Sequence, residues 1–65
     1  MDLSKSLKVA IAMKGVKHKD LAKQLGTTSQ QISNWLKSGA IKQSSLLPVS
    51  NALDLSVSEF VALGE

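Results

Sequence analysis

Five polar side chains between positions 29 and 37 are spaced so that they share one face of a helix. They recur at i, i+1, i+4, i+5 and i+8, and they are Ser29, Gln30, Ser33, Asn34 and Lys37. The face carries no carboxylate. Side-chain amides of Gln and Asn can bond through both their oxygen and their nitrogen to the edge of adenine in the DNA major groove. An amide-rich face without acids therefore indicates a surface that meets a polyanion.

The same part of the chain carries most of the positive charge. Six of the eight lysines and one acid, Asp20, lie from Lys14 to Lys42, whereas Gln43 to Glu65 contains three acids and no base. A basic segment is expected where a protein faces phosphate, although a solvated lysine surface has the same composition. Every cation is a lysine, so bidentate reading of guanine by arginine is excluded.

Two short helices joined by a tight turn must hold this face in place. Ala22 is small enough for a close helix crossing, and Gly26 tolerates the positive φ that a tight turn needs. Both helices that flank this turn also carry apolar residues on the side that would face the core. Positions 18–37 therefore predict a helix-turn-helix. The residues expected to point inward are Leu21, Leu25, Ile32 and either Trp35 or Leu36.

Apolar residues recur at spacings of three and four throughout, so the sequence predicts an all-α fold. Pro48 is acceptable in the fourth helix if it falls in or near the first turn. The five predicted helices run from about Leu3 to Lys14, His18 to Leu25, Ser29 to Ser38, Ser45 to Leu53 and Val57 to Leu63.

Local signals mark the helix ends. Asp2 is placed to cap the first helix, and Thr28 with Gln31, and Ser56 with Glu59, have the spacing of capping boxes. Each helix except the fourth is followed by a glycine that predicts a left-handed C-terminal cap, at positions 15, 26, 39 and 64.

Composition argues against several functional classes. His18 is the only histidine, cysteine is absent, and no acid cluster has metal-ligand spacing, so we expect no metal site. No nucleophile–base pair or glycine-rich phosphate loop is present, so we expect neither enzyme activity nor a cofactor. The longest apolar run, Val9 to Met13, is too short for a membrane span, which favours a cytoplasmic protein.

Two segments resemble a known family. LAKQLGTTSQQISNWLKSG is similar to the helix-turn-helix of Cro- and CI-type phage regulators, also called the XRE-like family. LLPVSNALDLSVSEFVAL is similar to that family's last two helices, with Ala52, Leu53, Leu55 and Ser56 matching its usual junction. The resemblance implies that residues 1–65 form one compact five-helix, lambda-repressor-like DNA-binding domain. It further implies a homodimer that binds a palindromic operator and regulates transcription in a bacterial or phage-infected cell, without a small-molecule ligand.

The resemblance also implies residue roles, with the third helix as the recognition helix. The expected base contacts are Ser29, Gln30, Gln31 and Asn34. The expected contacts to the DNA backbone are His18, Thr28, Ser33, Lys37 and Lys42. Alternatives remain from the residues themselves: Ser29 and Gln31 can serve the helix cap instead, and His18 can be an ordinary surface histidine.

The last helix is richer in apolar residues than one buried face requires. These residues either close the core of the monomer or line a dimer interface, and the resemblance favours the second interpretation. The predicted interface residues are Leu55, Val57, Phe60 and Val61.

Other functions remain compatible with five short helices. A small protein-interaction module would carry apolar or aromatic anchors on its binding face, which the third helix lacks. An antitoxin or a restriction-controller protein of the same fold would share all of these features. The absence of a recognisable second domain favours a Cro-like regulator over a two-domain repressor.

Overall fold

Five helices make up the computed structural model, which describes residues 2–65. They are α1 (Leu3–Lys14), α2 (His18–Leu25), α3 (Ser29–Ser38), α4 (Gln43–Ala52) and α5 (Val57–Ala62), and residues 2–65 contain no strand. The all-α prediction and the bounds of the first three helices are confirmed. The fourth helix begins two residues earlier and ends one residue earlier than predicted, and the fifth is one residue shorter.

Side chains cap the helices where the sequence predicts them. Asp2 accepts a hydrogen bond from the backbone N–H of Lys5 at 3.1 Å, and this bond fixes the start of α1. Ser56 and Glu59 form the complete capping box of α5, each side chain accepting from the other residue's backbone N–H. Such caps matter because helices this short are marginal in isolation.

Three of the four predicted left-handed glycines are confirmed, with φ between 63° and 69° at positions 15, 26 and 39. Gly26 carries the turn of the helix-turn-helix, and its N–H bonds the last carbonyls of α2. The prediction is wrong for Gly64, because α5 ends through Leu63 in the right-handed region (φ −63°). Gly64 is instead buried against the start of α1, where a Cβ would overlap the backbone oxygen of Asp2 and the hydroxyl of Ser6.

Pro48 lies deeper in its helix than the sequence predicts. Because α4 begins at Gln43, Pro48 is its sixth residue and falls in the second turn. A proline there removes one intrahelical hydrogen bond, the one to the carbonyl of Ser44. Both Pro48 and Ser44 are exposed residues, so water can reach this turn of α4 and bond the carbonyl.

Every helix contributes to one apolar core. α3 packs against α1 and α2, α5 against α1 and α4, and α2 also against α4. Two hydroxyls of α1 reinforce these contacts: Ser4 donates to the carbonyl of Leu36 in α3 (2.5 Å), and Ser6 to the carbonyl of Val61 in α5 (3.4 Å). The buried hydroxyl of Ser50 donates within α4, to the carbonyl of Leu46 (2.7 Å). The core residues are Leu7, Ala10, Leu21, Ala22, Ile32, Trp35, Ile41, Val49, Leu53 and Phe60.

The close packing of Gly64 predicts that Gly64→Ala destabilises the fold. The added methyl group must displace the backbone of Asp2, the N-cap of α1, and overpacking of this kind costs about 1–3 kcal/mol. Urea denaturation followed by circular dichroism measures the loss, with the exposed neighbour in Glu65→Ala as the control. Equal midpoints for Gly64→Ala and the wild type would show that the two chain ends are not packed as described.

The capping box of α5 predicts a pH dependence. Hydrogen bonds from the backbone N–H and the hydroxyl of Ser56 hold the pKa of Glu59 below its ordinary value of 4.5. A lowered pKa in the folded state means that the ionised carboxylate stabilises the fold above about pH 4.5, and that this stabilisation is lost as the pH falls through the lowered value.

We expect Ser56→Ala to raise the pKa of Glu59 partway towards 4.5, because the hydroxyl bond is lost while the backbone bond remains. A carboxyl-carbon NMR titration measures this value, and Ser44→Ala is the control because Ser44 lies exposed on another helix. An unchanged Glu59 titration in Ser56→Ala would rule out this role of the hydroxyl.

Candidate nucleic-acid interface

The polar face of α3 points away from the core. Ile32 and Trp35 are buried on the inner side, where α1 and α2 pack. Successive helical residues are rotated by about 100°, so burying these two turns the opposite side to solvent. The predicted face is accordingly accessible: Ser29, Gln30, Asn34 and Lys37 are exposed, and Ser33 is half-buried.

Two of the predicted base contacts are joined to each other. The side-chain nitrogen Nε2 of Gln30 donates a hydrogen bond to Oδ1 of Asn34, one helical turn along, at 3.2 Å. Each amide has two N–H donors and one oxygen with two lone pairs. The bond therefore leaves Gln30 with its oxygen and one N–H, and leaves Asn34 with both of its N–H groups and one lone pair of its oxygen.

Gln31 lies on a different flank of α3 from Gln30 and Asn34. Its backbone N–H bonds to Oγ1 of Thr28 at 3.2 Å, which confirms that half of the predicted capping box. The other half is wrong, because the side chain of Gln31 makes no hydrogen bond to the backbone N–H of Thr28. Its side chain lines a half-open groove of about 330 Å³ that separates α3 from the start of α4 and that Lys42 and Ser45 also line. The structure thus divides the four predicted base contacts, with Gln31 beside Lys42.

The start of α3 resolves one of the alternatives left by the sequence, that for Ser29. Thr28 is the N-cap, and Ser29 is the first helical residue with an exposed side chain, so Ser29 is not needed for the cap. The hydroxyl of Thr28 accepts the bond from Gln31 and keeps its own proton, which can still be donated to an anion.

Lysines occupy the N-terminal ends of two helices beside this face. Lys17 is the N-cap of α2 and Lys42 the N-cap of α4, and neither side chain bonds its helix. Free backbone N–H groups and the helix dipole favour an anion at such an end, and a lysine adds to that field. His18, the first residue of α2, is exposed at the same place. These ends are suited to phosphate.

A protein-family profile described as helix-turn-helix matches residues 7–60, which is most of the chain. The chain belongs to the helix-turn-helix family. Its Cro/CI character is supported by the Repressor protein CI of Enterobacteria phage phi80, which is 31% identical over 55 residues. That alignment covers 85% of this chain but only 23% of the phage protein, so the chain spans about a quarter of that relative. No solved structure matches the chain significantly.

The helix-turn-helix family is a class of DNA-binding transcription regulators, and the resemblance drawn from the sequence is confirmed. The match includes all of α2 and α3, which carry the face described above.

One of the four residues predicted for a dimer interface belongs to the core of this helix-turn-helix domain. Phe60 is 0% exposed, so it has no surface to offer a partner, and that prediction is wrong. α5 has only six residues, and its single large ring fills the space against α1 and α4. Leu55, Val57 and Val61 remain half-buried and present part of their surface to solvent.

An exposed apolar residue on α4 escaped the sequence analysis. Leu47 is 58% exposed. Its neighbour Leu46 packs against the core, and adjacent helical residues lie about 100° apart, so the Leu46–Leu47 pair could have signalled that one leucine faces out.

Within residues 2–65, no group of three or more histidine and acidic side chains lies close enough to hold a metal ion. None of the helices described here is both long and apolar enough to span a bilayer.

Proposed function

We propose that this protein is a sequence-specific double-stranded DNA-binding regulator of transcription, with α3 as its recognition helix. The observation that supports this most strongly is the exposed, acid-free face of α3 with its bonded amides, Gln30 and Asn34. A B-DNA major groove is about 12 Å wide and accepts one α-helix. Gln30, Asn34 and Ser29 then meet base edges, and Gln31 reaches the bases from the flank beside α4.

The charged and hydroxyl side chains around this face hold the protein on the DNA backbone. Lys37 lies in the last turn of α3, Lys42 is the N-cap of α4 and His18 is the first residue of α2. These three side chains can bind phosphates. Thr28 and Ser33 add hydroxyl donors. Contacts of this kind position the protein without reading sequence, and they release counterions, so affinity falls as salt rises.

A homodimer completes the proposal. Two copies related by a twofold axis would read the halves of a palindromic operator whose centres lie about 34 Å apart. The half-buried residues Leu55, Val57 and Val61 are the surface we assign to this contact, with Phe60 behind them in the core. Similarity to a phage protein named as a repressor favours repression, in which a bound dimer blocks polymerase.

Selection of random duplex DNA on the purified protein tests the proposed function. At low salt we expect enrichment of an inverted repeat, and at higher salt weaker binding to the same repeat, because lysines displace counterions. Binding without enrichment would reduce the proposal to a nonspecific DNA binder. No binding at either salt concentration would refute it and favour a protein-interaction module.

Single variants should separate sequence reading from backbone binding. Gln30→Ala should cost about 1–3 kcal/mol on the selected operator and little on random DNA, because only the operator presents the base that Gln30 reads. Lys37→Ala should weaken binding to both DNAs alike. Fluorescence anisotropy measures both, and Lys8→Ala is the control because Lys8 is exposed on α1, which packs behind α3. Equal losses on both DNAs for Gln30→Ala would remove it from the base contacts.

A lysine substituted for a half-buried valine of the assigned dimer surface tests the proposed interface. Val57→Lys and Val61→Lys should dissociate the dimer while circular dichroism remains helical, because a buried unpaired ammonium is costly in an apolar contact. Analytical ultracentrifugation over a concentration series measures the change. Leu47→Lys is the matched control, since Leu47 is an exposed apolar residue outside the assigned surface. Dissociation by Leu47→Lys alone would move the interface to α4.

A further inference from the structure

We propose that Asn34 is a positioning residue for Gln30, and that the bonded pair reads two base pairs together: adenine opposite Gln30 and guanine opposite Asn34. The inference deepens the proposed function and rests on it, because it assumes that α3 lies in the major groove. It is carried by the direction of one hydrogen bond, from Nε2 of Gln30 to Oδ1 of Asn34.

The direction of that bond decides what each amide has left to offer. Gln30 gives one N–H to Asn34, so its oxygen and its second N–H remain, which complement the N6 amino group and the N7 atom of adenine. The bond directs the oxygen of Asn34 towards Gln30, so the groups that this side chain presents to a base are chiefly its two N–H donors. Guanine presents two acceptors in the major groove, N7 and O6, and is the base that suits two donors.

The bond also restricts a flexible side chain before DNA arrives. Gln30 is exposed and has several rotatable bonds, and ordering such a side chain on binding costs entropy. A partner one turn away on the same helix removes part of that cost and orients the amide plane.

The opposite bond direction makes the opposite prediction. If Asn34 donated to the oxygen of Gln30, that oxygen would be turned towards Asn34. Gln30 would then present chiefly donors to a base and would prefer guanine, while Asn34 would suit adenine. The identity of the two bases therefore reports the direction of the bond.

The test uses the operator selected by the wild-type protein and the base preference at each of its positions. The position whose preference disappears in Gln30→Ala is assigned to Gln30. We expect adenine there and guanine at a neighbouring position. Replacing that adenine by 7-deazaadenine, which lacks the N7 acceptor, should weaken wild-type binding about tenfold.

Two variants of Asn34 distinguish positioning from direct reading. Asn34→Ala should lose the guanine preference and also most of the adenine preference at the position read by Gln30. Asn34→Asp keeps an oxygen that accepts from Gln30, so it should retain the adenine preference while losing the guanine preference and overall affinity, since its charge repels DNA. Lys37→Ala, which should lower affinity without changing either preference, is the control.

The inference is overturned if Asn34→Ala changes only its own base position, if Asn34→Asp loses the adenine preference, or if guanine is selected opposite Gln30. A measurement without DNA separates its failure from that of the proposed function. In the free protein, the side-chain amide protons of Gln30 should exchange more slowly in the wild type than in Asn34→Ala. Equal exchange in the two proteins would refute the positioning role. Slower exchange in the wild type, combined with a selection that enriches no operator, would refute only the DNA-reading role.

Discussion

The burial of Ile32 and Trp35 between α1 and α2 is the contact on which the proposed interface depends. Each fully buried apolar side chain of this size contributes about 1.5–3 kcal/mol, which is large for a chain of 65 residues. Helix geometry then turns Gln30 and Asn34 outward without any further interaction. The polar face is thus held by apolar contacts behind it, and its own side chains remain available for a ligand.

Short helices make this arrangement dependent on the whole fold. α2 has eight residues and α3 ten, and helices of that length do not persist alone in water. The turn at Gly26, the N-cap at Thr28 and the packing of both helices on one core fix their relative orientation. The hydroxyl of Ser4, bonded to the carbonyl of Leu36, adds a direct tie from α1 to the far end of α3.

Features encoded locally could be predicted from the sequence, and features that need a distant partner could not. Caps and glycines marked both ends of α1 and α3, and Gly26 marked the end of α2. α4 starts after Lys42, whose side chain makes no cap, and its start was predicted two residues too late. Position 64 has room only for a glycine because Asp2 and Ser6, some sixty residues away in the sequence, pack against it. Phe60 could not be separated from its apolar neighbours by spacing alone, since α5 has fewer than two turns. At the interface, spacing predicted the shared face but not the direction of the bond between Gln30 and Asn34.

The central claim is that the outward face of α3 enters the major groove, and NMR spectroscopy of the labelled protein bound to its selected duplex tests it most directly. The account predicts that the side-chain amides of Gln30 and Asn34 shift most on binding. It also predicts that the backbone amides at the starts of α2 and α4 shift with them, and that the exposed side of α1 around Lys8 stays unchanged. Shifts centred on α1 or α5, with the amides of Gln30 and Asn34 unmoved, would contradict it.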